Sequence, residues 1–241
     1  MIYSFLQNGD TALTVQFKKE ISKEVNAYVT ALASLVQEKQ IKGVTETIPT
    51  FASLTVLYDC AVISSSSLKS KLKKLISEIK ISEKSKVKVW EIPVCYEGEF
   101  APDMESVSEH TGLSKEEIIE LHTSKPYLIY MLGFLPGFAY LGGMDERLFT
   151  PRLENPRLEI FKGAVGIGGE QTGIYPIASP GGWRLIGKTP VSVYDPEAEP
   201  PILYEAGDYI NFVSVTREQY DEIEKQIAEN KYTVKYREEE L

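Results

Sequence analysis

An α+β fold in two parts is predicted for this chain: a small split-βαβ domain over residues 1–87, then a domain of short strands over residues 88–241. Three observations predict it. Strand-like alternation and amphipathic helical spacing take turns as far as Val94, which is the β-α-β-β-α-β order. Beyond Pro93 the pattern changes to short β-like runs parted by Gly/Pro turns, which fits a barrel or sandwich. The charge divides at the same place: residues 1–87 carry 12 Lys/Arg and 8 Asp/Glu (+4), residues 88–241 carry 14 and 27 (−13), and the whole is −9.

TALTVQF (11–17) alternates as a strand, and Val25, Tyr28, Val29, Leu32, Leu35 and Val36 then share one helical face. VTETIPT (44–50) and SLTVLYD (53–59) form a hairpin pattern; Leu68, Leu72, Leu75, Ile76 and Ile79 mark a second helix, and KVKVWEIPV (86–94) a strand. Lys69, Lys71, Lys73 and Lys74 give that second helix a solvated polar side. A turn-rich stretch (98–106) precedes a short helix whose Ser114 and Glu117 make a capping box and which Pro126 ends. YLIYML (127–132), PVSVYD (190–195) and YINFVSV (209–215) are the expected strands, and TREQ (216–219) opens a last amphipathic helix carrying Tyr220, Ile223 and Ile227, before YTVKY and an acidic tail.

At 241 residues, 43% hydrophobic and 25% charged, the chain has ordinary globular composition. The acidic C-terminal half lacks the basic footprint that nucleic-acid binding needs. Cys60 and Cys95 sit in apolar contexts without metal-ligand spacing, so both are expected to be buried reduced thiols, and with two histidines and two scattered cysteines no zinc site of ordinary spacing is expected. No run reaches membrane-spanning length and no cationic leader pattern opens the sequence; the expectation is a soluble, cytoplasmic protein.

Twelve of the 17 glycines fall between Gly133 and Gly187, interleaved with Phe134, Phe138, Tyr140, Tyr175 and Trp183. Glycines this dense imply unusual backbone angles or close approach, and the aromatics between them imply an apolar or planar partner. Gly182–Thr189 satisfies the P-loop spacing GxxxxGK[ST], but a P-loop must open a helix onto the phosphate, and Pro190 followed by a strand-like run excludes that. His122, near the end of the capped helix, is either a general base beside a pocket or a cation placed to suit the helix dipole. Glu170, Gln171, Tyr175, Arg184 and Lys188 are the polar groups among the glycines; they either line a pocket or satisfy turns. No pattern for a covalent nucleophile is present.

GFLPGFAYLGGMDERLFTPR, NPRLEIFKGAVGIGGEQTGIYPIASPGGWRLIGKTP and VYDPEAEPPILYEAGDYINF, in that order, resemble the family of 5-oxoprolinase B subunits, related to allophanate hydrolase subunit 1. The resemblance runs from NGDTALTVQF to YINFVSV. It implies a small α/β domain followed by a cyclophilin-like β-barrel. It also implies an assembly in which 5-oxoprolinase subunits A and C join this type of chain to open 5-oxoproline into glutamate with ATP, none of it bound by this chain alone. A further implication is binding to the dimerisation and phosphotransfer helices of a sporulation histidine kinase (kinase A), whose autophosphorylation is blocked. By position, His122, Gln171, Tyr175 and the GFLPGF and PGGW turns match the family's pattern, while Lys188 stands where the family commonly has Arg. The expected site has His122 and Arg184 as catalytic residues, Glu170, Gln171, Tyr175 and Lys188 as substrate-binding ones, and Phe134, Phe138, Tyr140 and Trp183 as an apolar groove for a partner. A purely kinase-binding module with no catalytic residues is the alternative. Prolyl isomerase chemistry does not follow from a cyclophilin-like fold.

Overall fold

The structure, a computed structural model, describes residues 2–18, 22–81 and 86–240. They form two compact units, Met1–Ser85 and Lys86–Leu241.

In the first unit, β1 (Tyr3–Asn8) and β2 (Ala12–Phe17) make a hairpin, followed by α1 (Lys23–Lys39), β3 (Val44–Pro49), β4 (Ser53–Tyr58) and α2 (Ser65–Glu78). The sheet runs β1-β2-β4-β3 and is antiparallel throughout. Ser22 and Ser64 cap the two helices, each accepting from a backbone N–H three residues on. Leu13, Val15, Phe17, Leu54 and Val56 of the sheet share one core with Val25, Val29, Leu32 and Val36 of α1 and with Leu68, Leu72 and Leu75 of α2. The observed order ββαββα corrects the expected split βαβ. Its extra strand, β1, is an edge strand with no fully buried residue, so it carries little period-two signal. Its supposed last strand, KVKVWEIPV, belongs to the second unit, where its partner lies some 120 positions later in the chain.

The second unit contains β5 (Lys86–Val94), α3 (Met104–Thr111), α4 (Lys115–Thr123), β6 (Tyr127–Leu132), β7 (Ala139–Gly142), β8 (Arg157–Ile160), β9 (Ala164–Gly168), β10 (Gln171–Ile174), β11 (Ser179–Gly181), β12 (Arg184–Lys188), β13 (Tyr209–Ser214), α5 (Arg217–Ala228) and β14 (Tyr236–Glu240). Among the described residues eight strands form one sheet in the order β12-β9-β10-β7-β6-β13-β5-β14, in which β13 and β5 run parallel, and β8 with β11 makes a separate ribbon. Capping boxes at Ser114/Glu117 and Thr216/Gln219 start α4 and α5.

The expected closed barrel is corrected to an open sheet with β12 and β14 at its ends. One bridge ties the β12 end back to the end of β5, with Cys95 and Lys188 exchanging two backbone hydrogen bonds of 2.9 Å. Part of the acidic tail is itself a strand, because β14 sets Glu240 opposite Lys86 and Glu238 opposite Lys88. Residues 190–195 form no strand beyond an isolated bridge between Tyr194 and Ile202. Both cysteines are free, and Cys60 is exposed rather than buried.

Most of the clustered glycines make room for the protein's own aromatics. Trp183 lies across β9 and β10: a Cβ at Gly168 would overlap its indole, and one at Gly173 would sit 3.0 Å from its ring and 2.9 Å from the Ala139 carbonyl. Gly133, in contrast, has only Tyr140 nearby, at 3.9 Å. Gly168→Ala is therefore expected to lower stability by about 2 kcal/mol through overpacking, with Gly133→Ala within about 0.5 kcal/mol of the parent, as read from urea unfolding midpoints.

Candidate functional site

The segment Gly133–Gly187 builds a second, smaller core centred on Phe138. Its ring meets those of Phe134, Tyr140, Tyr175 and Trp183 edge-on, at centroid distances of 5.5, 5.1, 5.3 and 5.4 Å. Phe138, Tyr175 and Trp183 are buried with Ile160, Ala164 and Leu185, while Tyr140 is half-buried. Phe134 alone is presented, 63% exposed and at φ 67° in a turn closed by Gly133 N–H donating to the Phe138 carbonyl at 3.1 Å. The aromatics thus form a packed stack with one exposed member instead of an open groove.

Beside the stack, Asp103 ties three elements together. It stands before α3 without capping it. Its Oδ2 accepts from Leu185 N–H and its Oδ1 from Arg157 Nη2, both at 2.7 Å, and its own N–H donates to the Leu185 carbonyl at 3.0 Å. Asp103 therefore supplies the hydrogen bonds that edge strand β12 would otherwise lack, and draws β8 to the same point. Arg184, at the start of β12, donates Nη1 to Ser106 Oγ at 2.8 Å and Nε to the Pro151 carbonyl at 3.1 Å. The Ser106 hydroxyl in turn donates to the Asp103 carbonyl at 2.9 Å. Arg152, next to Pro151, holds its guanidinium 5.8 Å from the centre of the Trp183 ring.

His122 lies on the other side of β10 and is fully enclosed. Nε2 is 2.8 Å from Thr172 Oγ1, and Nδ1 is 2.8 Å from the Tyr96 hydroxyl. The Thr172 hydroxyl donates its one proton to the Gly166 carbonyl at 3.0 Å, so Nε2 carries the imidazole proton and Nδ1 accepts from Tyr96. The ring stacks on Phe212 with centroids 4.6 Å apart. Burial pushes its pKa down to about 3, which keeps it neutral.

The remaining polar candidates are spread out. Alternation along β10 turns Gln171 away from Thr172, and its Nε2 is buried without a partner. Glu170 is exposed in the β9–β10 turn. Burial raises the Tyr175 pKa, opposed by a hydrogen bond from the Trp183 backbone and by the charges of Arg152 and Arg157. Lys188 sits at the far end of β12, its ammonium 4.8, 5.5 and 5.8 Å from the rings of Phe100, Tyr220 and Phe161. Gln171 and Tyr175 thus share the Trp183 side of β10, whereas Arg184, in register with Ile167 and Thr172, leaves β12 on the opposite side and reaches the rim at Ser106 and Pro151; His122 lies behind β10 and Lys188 at the closing bridge. The P-loop spacing falls on β12 and no helix follows it.

Sequence reasoning missed Asp103, Ser106, Arg152 and Arg157. A signal was present: all six arginines lie beyond residue 146, inside the acidic half, and three of them (Arg152, Arg157, Arg184) flank the glycine-rich turns. Among the described residues no cluster of His, Cys, Asp or Glu is arranged to hold a metal ion, and no helix is long and apolar enough to cross a membrane.

An α+β chain with this open eight-stranded sheet is a carboxyltransferase-type domain: residues 3–204 match the family described as carboxyltransferase domain, subdomain C and D, and the chain belongs to that family. Within it, the chain is 45% identical over 228 residues to the 5-oxoprolinase B subunit of Bacillus subtilis (strain 168), covering 90% of this chain and 95% of that protein. The crystal structure of TTHA0988 is similar with a TM-score of 0.75 at 36% identity, over 85% of this chain and 40% of that one. K. lactis urea amidolyase has the same fold, with a TM-score of 0.84 at 21% identity over 99% of this chain and 16% of that one.

A buried neutral imidazole has a consequence for stability. Its folded pKa lies below the unfolded value of 6.5, so its contribution is fully present above pH 6.5 and is lost as pH falls toward 3. Between pH 6.5 and 5, where carboxylates titrate little, the chain is expected to lose about 2 kcal/mol, at about 1.4 kcal/mol per unit. A folded His122→Gln variant should flatten that slope in urea unfolding; an unchanged slope contradicts the assignment.

Proposed function

We propose that this chain is the B subunit of an ATP-dependent 5-oxoprolinase, acting with separate subunits A and C to open 5-oxoproline into L-glutamate. The observation that carries this reading is the similarity to a protein itself named as a subunit, over nine-tenths of both chains. The site supports a contributing role over a self-sufficient one. Its accessible polar groups, Arg184 above all, donate hydrogen bonds and orient, whereas His122, the one imidazole near them in sequence, is enclosed with both nitrogens engaged. In this reading Arg184 meets the cyclic amide, with Tyr175 buried beneath as support, Glu170 and Gln171 at the margin and Lys188 bracing the closing bridge. His122 holds β10 from behind as a positioning residue, and the ATP is handled by the assembly.

The exposure of Phe134 above a buried aromatic stack favours a second role for the same face. A single exposed aromatic on a rigid base is a fitting anchor for a protein partner, either the C subunit or the helical dimerisation domain of a histidine kinase.

Reconstitution with subunits A and C tests the first role. Glutamate should form from 5-oxoproline only with ATP and all three subunits, and Arg184→Ala should lower turnover at least about tenfold in an intact assembly, as for loss of a charge-assisted hydrogen bond. Full turnover by that variant contradicts the face assignment, and no turnover by the parent assembly contradicts the activity. For the second role, the chain should block autophosphorylation of a purified histidine kinase and Phe134→Ala should relieve the block; equal inhibition by both contradicts it.

A further inference from the structure

We propose that Arg152, Arg157 and Arg184 form a cradle for an oxyanion, the carboxylate or phosphate of a ligand brought to this face. The proposal rests on the reading of that face as the ligand face and adds the chemistry it recognises. The three guanidinium groups are linked by short connections. Arg157 and Arg184 both bond to the turn that opens α3, through Asp103 Oδ1 and Ser106 Oγ. Arg184 also holds the carbonyl of Pro151, whose neighbour Arg152 lies over Trp183. Arg152 and Arg157 both favour the ionised form of the buried Tyr175 hydroxyl, which burial disfavours.

The positive charge here is undercompensated. Asp103 is the one carboxylate paired with these arginines among the described residues, and it is already shared between Arg157 and the Leu185 N–H. Glu105, on the same helix, is engaged by Lys115. Three cations against one anion stand within a half of the chain that carries a net −13. Two buried polar atoms on the β8–β11 ribbon also lack partners: Arg157 Nη1, and the hydroxyl Oγ of Ser179, a residue only 7% exposed. Buried donors are nearly always satisfied, and an oxyanion with several lone pairs is the acceptor that matches forked guanidinium donors. The α3 N-terminus adds to the field, since Asp103 leaves it without a side-chain cap.

The test follows arginine Nε–H resonances of the full chain at constant ionic strength, during titration with inorganic phosphate, 5-oxoproline and 2-pyrrolidinone, which has the lactam without the carboxylate. Saturable shifts are expected with at least one of the two anions and none with 2-pyrrolidinone. Response to phosphate alone assigns the cradle to a phosphate source, and tighter binding of 5-oxoproline assigns it to the carboxylate. Arg152→Ala, which removes no side-chain hydrogen bond among the described residues, and Arg184→Ala should each weaken binding about tenfold. Arg147→Ala should leave it unchanged, because Asp145 already pairs with that residue. No saturable response to either anion, equal response to 2-pyrrolidinone, or binding indifferent to Arg152→Ala overturns the cradle. Turnover of the reconstituted assembly is read separately. An active assembly in which this chain binds no anion contradicts the cradle alone, and a silent one with anion binding intact contradicts only the proposed activity.

Discussion

The carboxylate of Asp103 is the constraint on which the functional face depends. Its two oxygens and its own N–H join the start of α3, the edge of β12 and the β8–β11 ribbon. Without it, β12 has an unpaired N–H at Leu185 and Arg157 holds a partly buried cation with no counter-charge. The ribbon it anchors lies against the Phe138 stack, with Ile160 in that core and Gly181 close against Tyr175. One aspartate therefore fixes where Arg184 and Trp183 sit, through its bonds to Leu185, and Arg152 follows through the Pro151 carbonyl.

The two faces of β9 and β10 divide the work. On one, glycines at 166, 168 and 173 leave a bed for Trp183, and the aromatic stack rises from it. On the other, Thr172 and the His122–Tyr96 chain sit in the larger core with Phe212. A polar relay sealed in an apolar core specifies one arrangement of the sheet, because every member has a partner only in that arrangement. The imidazole thus serves the ligand face at one remove, by holding the strand beneath it.

Local signals were readable in the sequence where they are local in physics. The capping box of α4, the Val25–Val36 stripe of α1 and the strand at Tyr127–Leu132 stand where spacing placed them. The misreadings share a cause in long-range pairing. β5 looks like the end of the first unit until β13 pairs with it in parallel, and β14 looks like a charged tail until Lys86 and Lys88 face it. The site divides in the same way. Arg184 and Tyr175 could be picked out as polar groups among glycines, whereas Asp103 takes its meaning from Arg157 and Leu185, 54 and 82 positions away. The glycine cluster was legible as a demand for close approach; which group approaches, Trp183 of this same chain, was not.

Everything on this face turns on the Asp103–Arg157 pair. A double-mutant cycle with Asp103→Ala, Arg157→Ala and the double variant, read by urea unfolding, measures it directly. The predicted coupling energy is about 1–3 kcal/mol, as for a partly buried, hydrogen-bonded ion pair. Additivity within about 0.3 kcal/mol would contradict the claim that this pair organises the face.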